Sequence, residues 1–572
     1  MHEVNQNATG HGNIQVANTQ GDVHVHMAAK VTCPLHYPKR DEHFTGREAE
    51  LKELLAEIRP NHVATRWGTG GMGKTTLVAE AVWRLKDSGV LAEQFPDGLF
   101  FHTFYNQPSV DVVLESICRA WGVEPRGDLF DSARHVLGGK RALLIFDGAE
   151  EADPEQLRQL LSLHGECGVM MTSRRQSDAP DNAIKLQPMP KDESVELLNS
   201  WAPQSCNVKA DVEAIAALLG YLPLALCLVG RYLAQTGETA AEYLKWLRAE
   251  PWEALNPDDE AHRYSSVPHL LRRSLEQVDE RAQTLLALAG QLALSPFLLE
   301  PLGTCLEASG SELKKLKRQL LVYGLLENNG DRLQIAHALI HRFASQQIPL
   351  DLDVWDRLVT HYINHVCEQT ERGKVGYDVL DPDRAHLIAL VERCQAKKAW
   401  HQLIELAQAV NQYLDRQGYW VEQQQVLEMG LDAATEQGDK RDQGWFCNGL
   451  ALSWYYRGDY DTALQYLKQS LAIDQEIGDK SGEGTTINNI SQIYDARGDY
   501  DTALQYLQRS LAIRQEIGDK SGEGTTLNNM ATTAHARGDY DTALQYLKQS
   551  LAIQQEIGDK SGEGTTLNNI SQ

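Results

Sequence analysis

The ten residues Gly-Asp-Tyr-Asp-Thr-Ala-Leu-Gln-Tyr-Leu occur three times, beginning at Gly458, Gly498 and Gly538, and so recur every forty residues. A second mark, Gly-Asp-Lys, falls at Gly438, Gly478, Gly518 and Gly558, and a weaker one, Gly418-Tyr419-Trp420, lies forty residues before the first copy. Each period holds two amphipathic helical stretches, one apolar face being Ala463, Leu464, Leu467, Leu471 and Ile473. A helix pair of this size cannot bury its apolar face alone, so residues 398–572 are expected to stack as an α-solenoid. The chain stops at Gln572 inside the first helix of a further period, where Leu567 and Ile570 have no following helix. Terminal repeats usually carry a polar outer face, so the expectation is a truncated chain or an end that packs on a partner.

Residues 1–397 follow another pattern. Gly68-Thr69-Gly70-Gly71-Met72-Gly73-Lys74-Thr75-Thr76 fits G-x-x-x-x-G-K-[ST], a loop that turns backbone N–H groups onto phosphate oxygens at the start of a helix. Gly68, Gly70, Gly71 and Gly73 allow that turn, Lys74 is placed to reach the β- and γ-phosphates, Thr75 to hold Mg²⁺, and Thr76 to complete the cradle. Strand patterns at His62–Trp67, Gly98–Tyr105, Ala142–Phe146, Gly168–Thr172 and Ala183–Leu186 alternate with helical ones such as Glu50–Ile58 and Gly73–Leu85. Alternation of this kind predicts a parallel α/β sheet covered on both faces. Two strand ends carry chemistry. Asp147 closes Ala142–Phe146 where a second Mg²⁺ contact is wanted, and Arg174 follows Thr172-Ser173 as a cation that could address the γ-phosphate.

A net charge of −25 opposes non-specific attraction to nucleic acid or anionic membrane, so nucleic acid is not expected as a partner. No apolar run approaches the roughly 18–20 residues that cross a bilayer, and the N-terminus lacks a basic region followed by an apolar one, so a cytoplasmic chain is expected. Nine cysteines lie scattered from Cys33 to Cys447 with no C-x-x-C pair, which indicates neither a disulfide framework nor a zinc cluster.

The segment from Phe44 to Ala344 resembles the NB-ARC class of STAND nucleotidases. The motifs stand in the family's order: FTGRE at Phe44–Glu48, the phosphate loop, LLIFD ending at Asp147, TSR at Thr172–Arg174, and GYLPLAL at Gly220–Leu226. The resemblance implies that Pro223 packs by adenine and that the segment holding Arg47 borders base and ribose, so ATP or ADP with Mg²⁺ is the implied cofactor pair. Ser265–Ala344 is similar to the family's winged-helix module, in which His337 matches the histidine that senses the diphosphate. Two departures stand out. The family's Met-His-Asp triplet is here Ala336-His337-Ala338, and Gly148 occupies the place of a second acid, leaving Glu150 or Glu151 as the nearest carboxylates. A general base must come within hydrogen-bond reach of the attacking water. With Glu150 displaced along the chain, nucleotide exchange and slow hydrolysis are expected in place of rapid turnover.

The repeats are similar to tetratricopeptide repeats of the longer, kinesin-light-chain type, with Leu527-Asn528-Asn529 marking a first helix. Such repeats offer a concave surface for a peptide or protein ligand, or act as a rigid spacer. Residues 1–29 are polar, with β-like alternation at Asn13–Val16 and Val23–His26. They read either as a flexible tail or as a short amyloid-signalling motif that would recruit an effector; Asn7, Gly10, Ile14–Ala17 and Gly21–Val23 carry the latter resemblance.

The expected organisation is thus 1–29 as flexible or signalling segment, 30–43 as linker, 44–190 as nucleotide-binding domain, and 191–264 as helical domain. It continues with 265–348 as winged-helix-like domain, 349–397 as helical connector, and 398–572 as repeats. The implied function is an ATP/ADP switch that senses a ligand through its repeats, forms a homo-oligomer on exchange and recruits an effector in bacterial defence or programmed cell death. Two other readings stay open at this point: a transcriptional regulator of the same engine type that lacks its DNA-binding domain in this chain, and a repeat scaffold stabilised by nucleotide.

Overall fold

Leu143–Asp147 is buried along its whole length, as is Gly168–Ser173. Strands with no solvent face must lie inside a sheet covered on both sides. A computed structural model describes residues 16–19, 22–25, 34–41, 43–125, 127–178, 183–249 and 260–571. They belong to two compact units, one drawn from Cys33–Val123 and Asp128–Lys397, the other from Met1–Thr32, Glu124–Gly127 and Lys398–Gln572.

In chain order the strands are β1 (Val16–Thr19), β2 (Asp22–Val25), β3 (His62–Trp67), β4 (Leu99–Thr103), β5 (Leu143–Asp147), β6 (Gly168–Ser173), β7 (Ile184–Lys185), β8 (Leu326–Asn329) and β9 (Arg332–Ile335). In the first unit β4-β5-β6-β3-β7 form a sheet in that order, every neighbouring pair parallel. The sheet matches the α/β expectation. In such sheets ligands bind outside the carboxyl ends of the strands, and here those ends deliver Gly68, Asp147 and Arg174.

Residues 34–41, expected as part of a linker, are tied to this sheet. Leu35 makes a parallel bridge to Leu99; Leu99 N donates to Pro34 O at 2.6 Å and His36 N to Leu99 O at 3.1 Å. Arg40 pairs with Glu80 at 2.9 Å, and Trp83 Nε1 donates to Pro38 O at 2.9 Å.

Helices Lys191–Trp201, Lys209–Leu218, Pro223–Thr236 and Ala240–Ala249 follow the sheet, and then Glu260–Leu275, Glu280–Gln291, Leu299–Cys305 and Gly310–Val322. An antiparallel hairpin of β8 and β9 leads into Ala338–Gln347. The stretch expected as a helical connector holds Leu352–Glu371, Lys374–Leu380 and Arg384–Lys397.

The second unit contains helix pairs Trp400–Gln417 with Trp420–Gln437, Lys440–Tyr456 with Tyr460–Ile477, Lys480–Ala496 with Tyr500–Ile517, and Lys520–Ala536 with Tyr540–Ile557, followed by Lys560–Ser571. The repeated Gly-Asp dipeptide makes the joints. Gly478 takes a left-handed φ of 72° after Ile477, a conformation that costs glycine nothing. Asp479 then caps the next helix by accepting from Gly482 N at 2.9 Å, and Asp519 and Asp559 do the same for Gly522 and Gly562.

Inside the stack, Ser470, Ser510 and Ser550 donate to Gly444 O, Gly484 O and Gly524 O at 3.0, 2.8 and 2.8 Å. Asn489 Nδ2 donates to Asn448 Oδ1 at 2.7 Å and Asn529 Nδ2 to Asn488 Oδ1 at 3.2 Å, linking successive first helices. The same unit includes the antiparallel pair β1–β2, in the register Val16 to Val25 and Thr19 to Asp22. The rest of the proposed signalling segment lies outside the described residues.

No helix among the described residues is long and apolar enough to cross a membrane.

Candidate functional site

The phosphate loop leaves β3 through Gly68, Gly71 and Gly73 at φ of 150°, 73° and 83°, values open to glycine and strained for other residues. Gly73 sits at the N-cap of helix Lys74–Asp87 and supplies no side-chain cap, so the first-turn N–H groups are left for an anion. Lys74 is 6% exposed and folds back over its own loop, its Nζ donating to Gly68 O at 2.7 Å and Thr69 O at 3.0 Å. Burial pushes its pKa down to about 8, with Arg174 adding to the fall and Glu150 and Asp147 opposing it. The Thr69 hydroxyl is buried with no hydrogen-bond partner among the described residues. A buried cation resting on carbonyls beside an unsatisfied hydroxyl is the donor set a phosphate group would satisfy.

Asp147, at the end of β5, is 4% exposed. Its Oδ1 accepts from Thr75 Oγ1 and from Thr172 Oγ1, both at 2.6 Å, and Thr103 Oγ1 reaches Oδ2 at 3.4 Å. Burial raises the carboxyl pKa, and the two short hydroxyl bonds pull it back. The oxygens of Thr75 and Asp147 are hard donors brought together from 72 residues apart, the chemistry that suits Mg²⁺ held by few protein groups plus phosphate.

Glu150 is not left behind along the chain. The short 3₁₀ turn Ala149–Glu151 folds it into the site, where it is buried. Tyr105 donates its hydroxyl to Glu150 Oε1 at 2.6 Å, Arg174 N donates to Oε2 at 2.9 Å, and the Arg174 Nε lies 2.7 Å from Oε1 as an ion pair. The Arg174 guanidinium also stands 5.3 Å from the centre of the Tyr105 ring.

Gly148 has a φ of 73°, and a Cβ there would come within 2.6 Å of the Tyr105 ring. A side chain there would press on that ring and strain the backbone. Tyr105, Thr103 and Thr172 were not picked out as site residues from the sequence. Each lies at the carboxyl end of β4 or β6, the strands flanking β5, so the strand order is the signal that would have found them.

Arg47 is buried, but its guanidinium is engaged by protein: Nη2 donates to Met72 O at 3.1 Å and Gln187 O at 2.9 Å, and Nη1 to Glu50 at 2.9 Å. It thereby ties the FTGRE segment to the phosphate loop. Pro223 opens helix Pro223–Thr236, and the next residue, Leu224, donates its N–H to Gly71 O at 3.2 Å, bringing GYLPLAL onto the same loop.

His337 caps helix Ala338–Gln347, its Nδ1 accepting from Leu339 N at 3.0 Å. That bond leaves the proton on Nε2. Burial, then the charges of Arg174 and Lys74, push its pKa down to about 4, so the ring is neutral near pH 7 and carries an Nε2–H donor. The structure therefore brings Lys74, Thr75, Asp147, Arg174 and His337 to one place, and puts Arg47 and Pro223 on the loop's flank.

Residues 446–516 and 522–572 match the model of the tetratricopeptide repeat. A disease resistance protein of Arabidopsis thaliana is 24% identical over 376 residues, 60% of this chain and 35% of that protein. A nucleotide-binding leucine-rich repeat (NLR)-like protein of Hyaloscypha variabilis is 25% identical over 236 residues, 35% of this chain and 23% of its own length. The chain thus spans about a third or less of the length of these relatives. Among solved structures, a STAND protein with a tetratricopeptide repeat sensor from Pyrococcus horikoshii aligns with 94% of this chain and 81% of its own, at 16% identity and a TM-score of 0.47.

Proposed function

We propose, for a chain that is an NLR-like STAND nucleotidase with C-terminal tetratricopeptide repeats, that its phosphate loop binds ATP or ADP and that the bound nucleotide sets its conformation. Gly68, Gly70, Gly71, Gly73, Lys74, Thr75 and Thr76 hold the phosphates, with Arg174 addressing the terminal one and Pro223 beside the base. Arg47 supports the base side by holding the backbone at Met72 and Gln187. Thr75 and Asp147 hold Mg²⁺, which when bound neutralises phosphate charge.

The observation that carries this reading is the position of His337. It lies some 260 residues beyond the phosphate loop in sequence, yet close enough for Lys74 and Arg174 to bear on its titration. Its neutral Nε2–H is suited to a diphosphate oxygen, and a group on another element that touches the nucleotide is what a two-state element requires. The moving parts are 44–190, 191–264 and 265–348.

In this reading the repeats take a protein or peptide ligand, exchange of ADP for ATP drives homo-oligomerisation, and residues 1–29 recruit an effector through many weak contacts acting together. The setting is cytoplasmic defence or programmed death. Sedimentation of the full chain with ADP and with a non-hydrolysable ATP analogue tests it. The expected outcome is a small species with ADP and a larger one with the analogue; a monomer under both conditions overturns the switch.

A further inference from the structure

Helix Lys191–Trp201 has Pro190 as its N-cap, with no side-chain cap bond. A glutamate at the third helical position, here Glu193, commonly reaches back to the N–H of the N-cap residue. Proline has no N–H, so this carboxylate is left to another partner. It takes one 146 residues away, Arg47 N donating to Glu193 Oε2 at 2.8 Å. The carboxylate lies so close to Gly46 that a Cβ there would land on it.

Arg47 is itself held in an unusual shape. Its φ of 60° and ψ of 26° are left-handed, a conformation that arginine keeps only where its surroundings enforce it. The bond from its N–H to Glu193 is one such constraint. In this pose the buried guanidinium reaches Met72 O at 3.1 Å and Gln187 O at 2.9 Å. One residue earlier in the phosphate loop, Gly71 O accepts from Leu224 N at 3.2 Å. Two successive loop carbonyls are therefore held by donors from outside the loop.

In a planar trans peptide the C=O and the N–H point in opposite directions, and none of the described peptide bonds is cis. The N–H that shares a peptide with Gly71 O belongs to Met72, and the one that shares a peptide with Met72 O belongs to Gly73. Holding the two carbonyls thus turns the N–H groups of Met72 and Gly73 away from Leu224 and Arg47. Both N–H groups stand just before the helix that opens at Lys74, where an anion needs donors.

We infer, on the nucleotide reading above, that Glu193 and Arg47 are positioning residues for phosphate. Glu193 fixes the backbone of Arg47, and Arg47 sets the direction in which the loop presents its N–H groups. Arg47 then has a part in the phosphate cradle besides its place on the base side. Phosphate affinity becomes conditional on the first helix after the sheet, through a carboxylate that itself touches no phosphate. ADP and ATP feel the effect alike, because both carry the phosphates that the loop holds.

Titration of the full chain with ADP, ATP and inorganic pyrophosphate tests this. Glu193→Ala removes the acceptor and is expected to weaken all three by the same factor, about tenfold. Glu193→Gln keeps an oxygen for Arg47 N and is expected to return each affinity to within about threefold of the parent. Arg47→Lys keeps the charge but loses the planar fork, and is expected to weaken all three by about tenfold as well; it decides the matter should Glu193→Ala fail to fold. Parental affinities in either Glu193→Ala or Arg47→Lys overturn the inference, as does a Glu193→Gln as weak as Glu193→Ala. Weakened ADP with parental pyrophosphate affinity also overturns it, since that confines Arg47 to the base side. A parent that binds neither ADP nor ATP overturns the nucleotide reading itself.

Discussion

The repeat arm and the phosphate-loop module both bury polar side chains, but they use them differently. In the arm, Ser470, Ser510 and Ser550 bond the carbonyls of neighbouring helices, and Asn489 and Asn529 bond the asparagines of the preceding unit. These groups are paired with one another and fix register. At the sheet edge, Lys74 rests on its own loop's carbonyls, the Thr69 hydroxyl has no partner among the described residues, and Arg174 lies on Glu150. On the proposed reading, those pairings give way to contacts with the nucleotide. A buried polar group that is satisfied by its repeat neighbour speaks of stability, and one that leans on its own backbone speaks of function.

Substitutions should therefore separate the two regions. The largest expected effect is that of Lys74→Ala, which removes the buried cation and should weaken ATP binding by about a hundredfold or more in titration calorimetry, with the unfolding of the arm unmoved. Gly430→Ala should do the opposite. Its new Cβ would press on the Phe446 ring inside the arm, at a cost of about 1–3 kcal/mol in urea denaturation, with ATP affinity unchanged.

The third prediction uses pH. Lys74 titrates at about 8 in the free loop, and phosphate oxygens favour its charged form, so binding takes up a proton above that pH. Affinity for ATP should be steady below pH 7.5 and fall by about tenfold by pH 9; Lys74→Arg, always charged, should flatten the profile. The smallest effect is expected of Asn489→Ala, about 1 kcal/mol from one rung of the asparagine ladder, without any change in nucleotide affinity. Should Asn489→Ala alter ATP binding, or Lys74→Ala soften the arm, the division drawn above fails.

Much of this was legible from the chain alone, and the reason differs between regions. β3 runs from His62 to Trp67, the limits expected from its pattern before a glycine loop. The arm's helices begin and end at the Gly-Asp joints because a left-handed glycine and a capping aspartate are local signals. Thr75 and Asp147 meet because the phosphate loop and an apolar strand ending in a carboxylate both carry recognisable patterns.

The meeting of Tyr105 with Glu150 had no such signal. It depends on β4 lying beside β5 in the sheet, and on a turn after Asp147 that reverses the chain. Residues 34–41 were hidden for another reason. Two prolines among mixed charges resemble a linker, but Pro34 keeps an acceptor and uses it on Leu99 N; a residue without an N–H can still close a sheet edge.

The Gly-Asp joints carry one more consequence. Each Gly-Asp-Lys joint presents the same cap, and each forty-residue unit repeats one serine bond between its own two helices and one asparagine bond to its neighbour. A cut made at one Gly-Asp-Lys joint and rejoined at another of the same kind restores the same cap. The length of the arm is thus adjustable by whole units, while residues that differ between units, such as Asp474, Arg514 and Gln554, can be shuffled like tiles along a fixed frame.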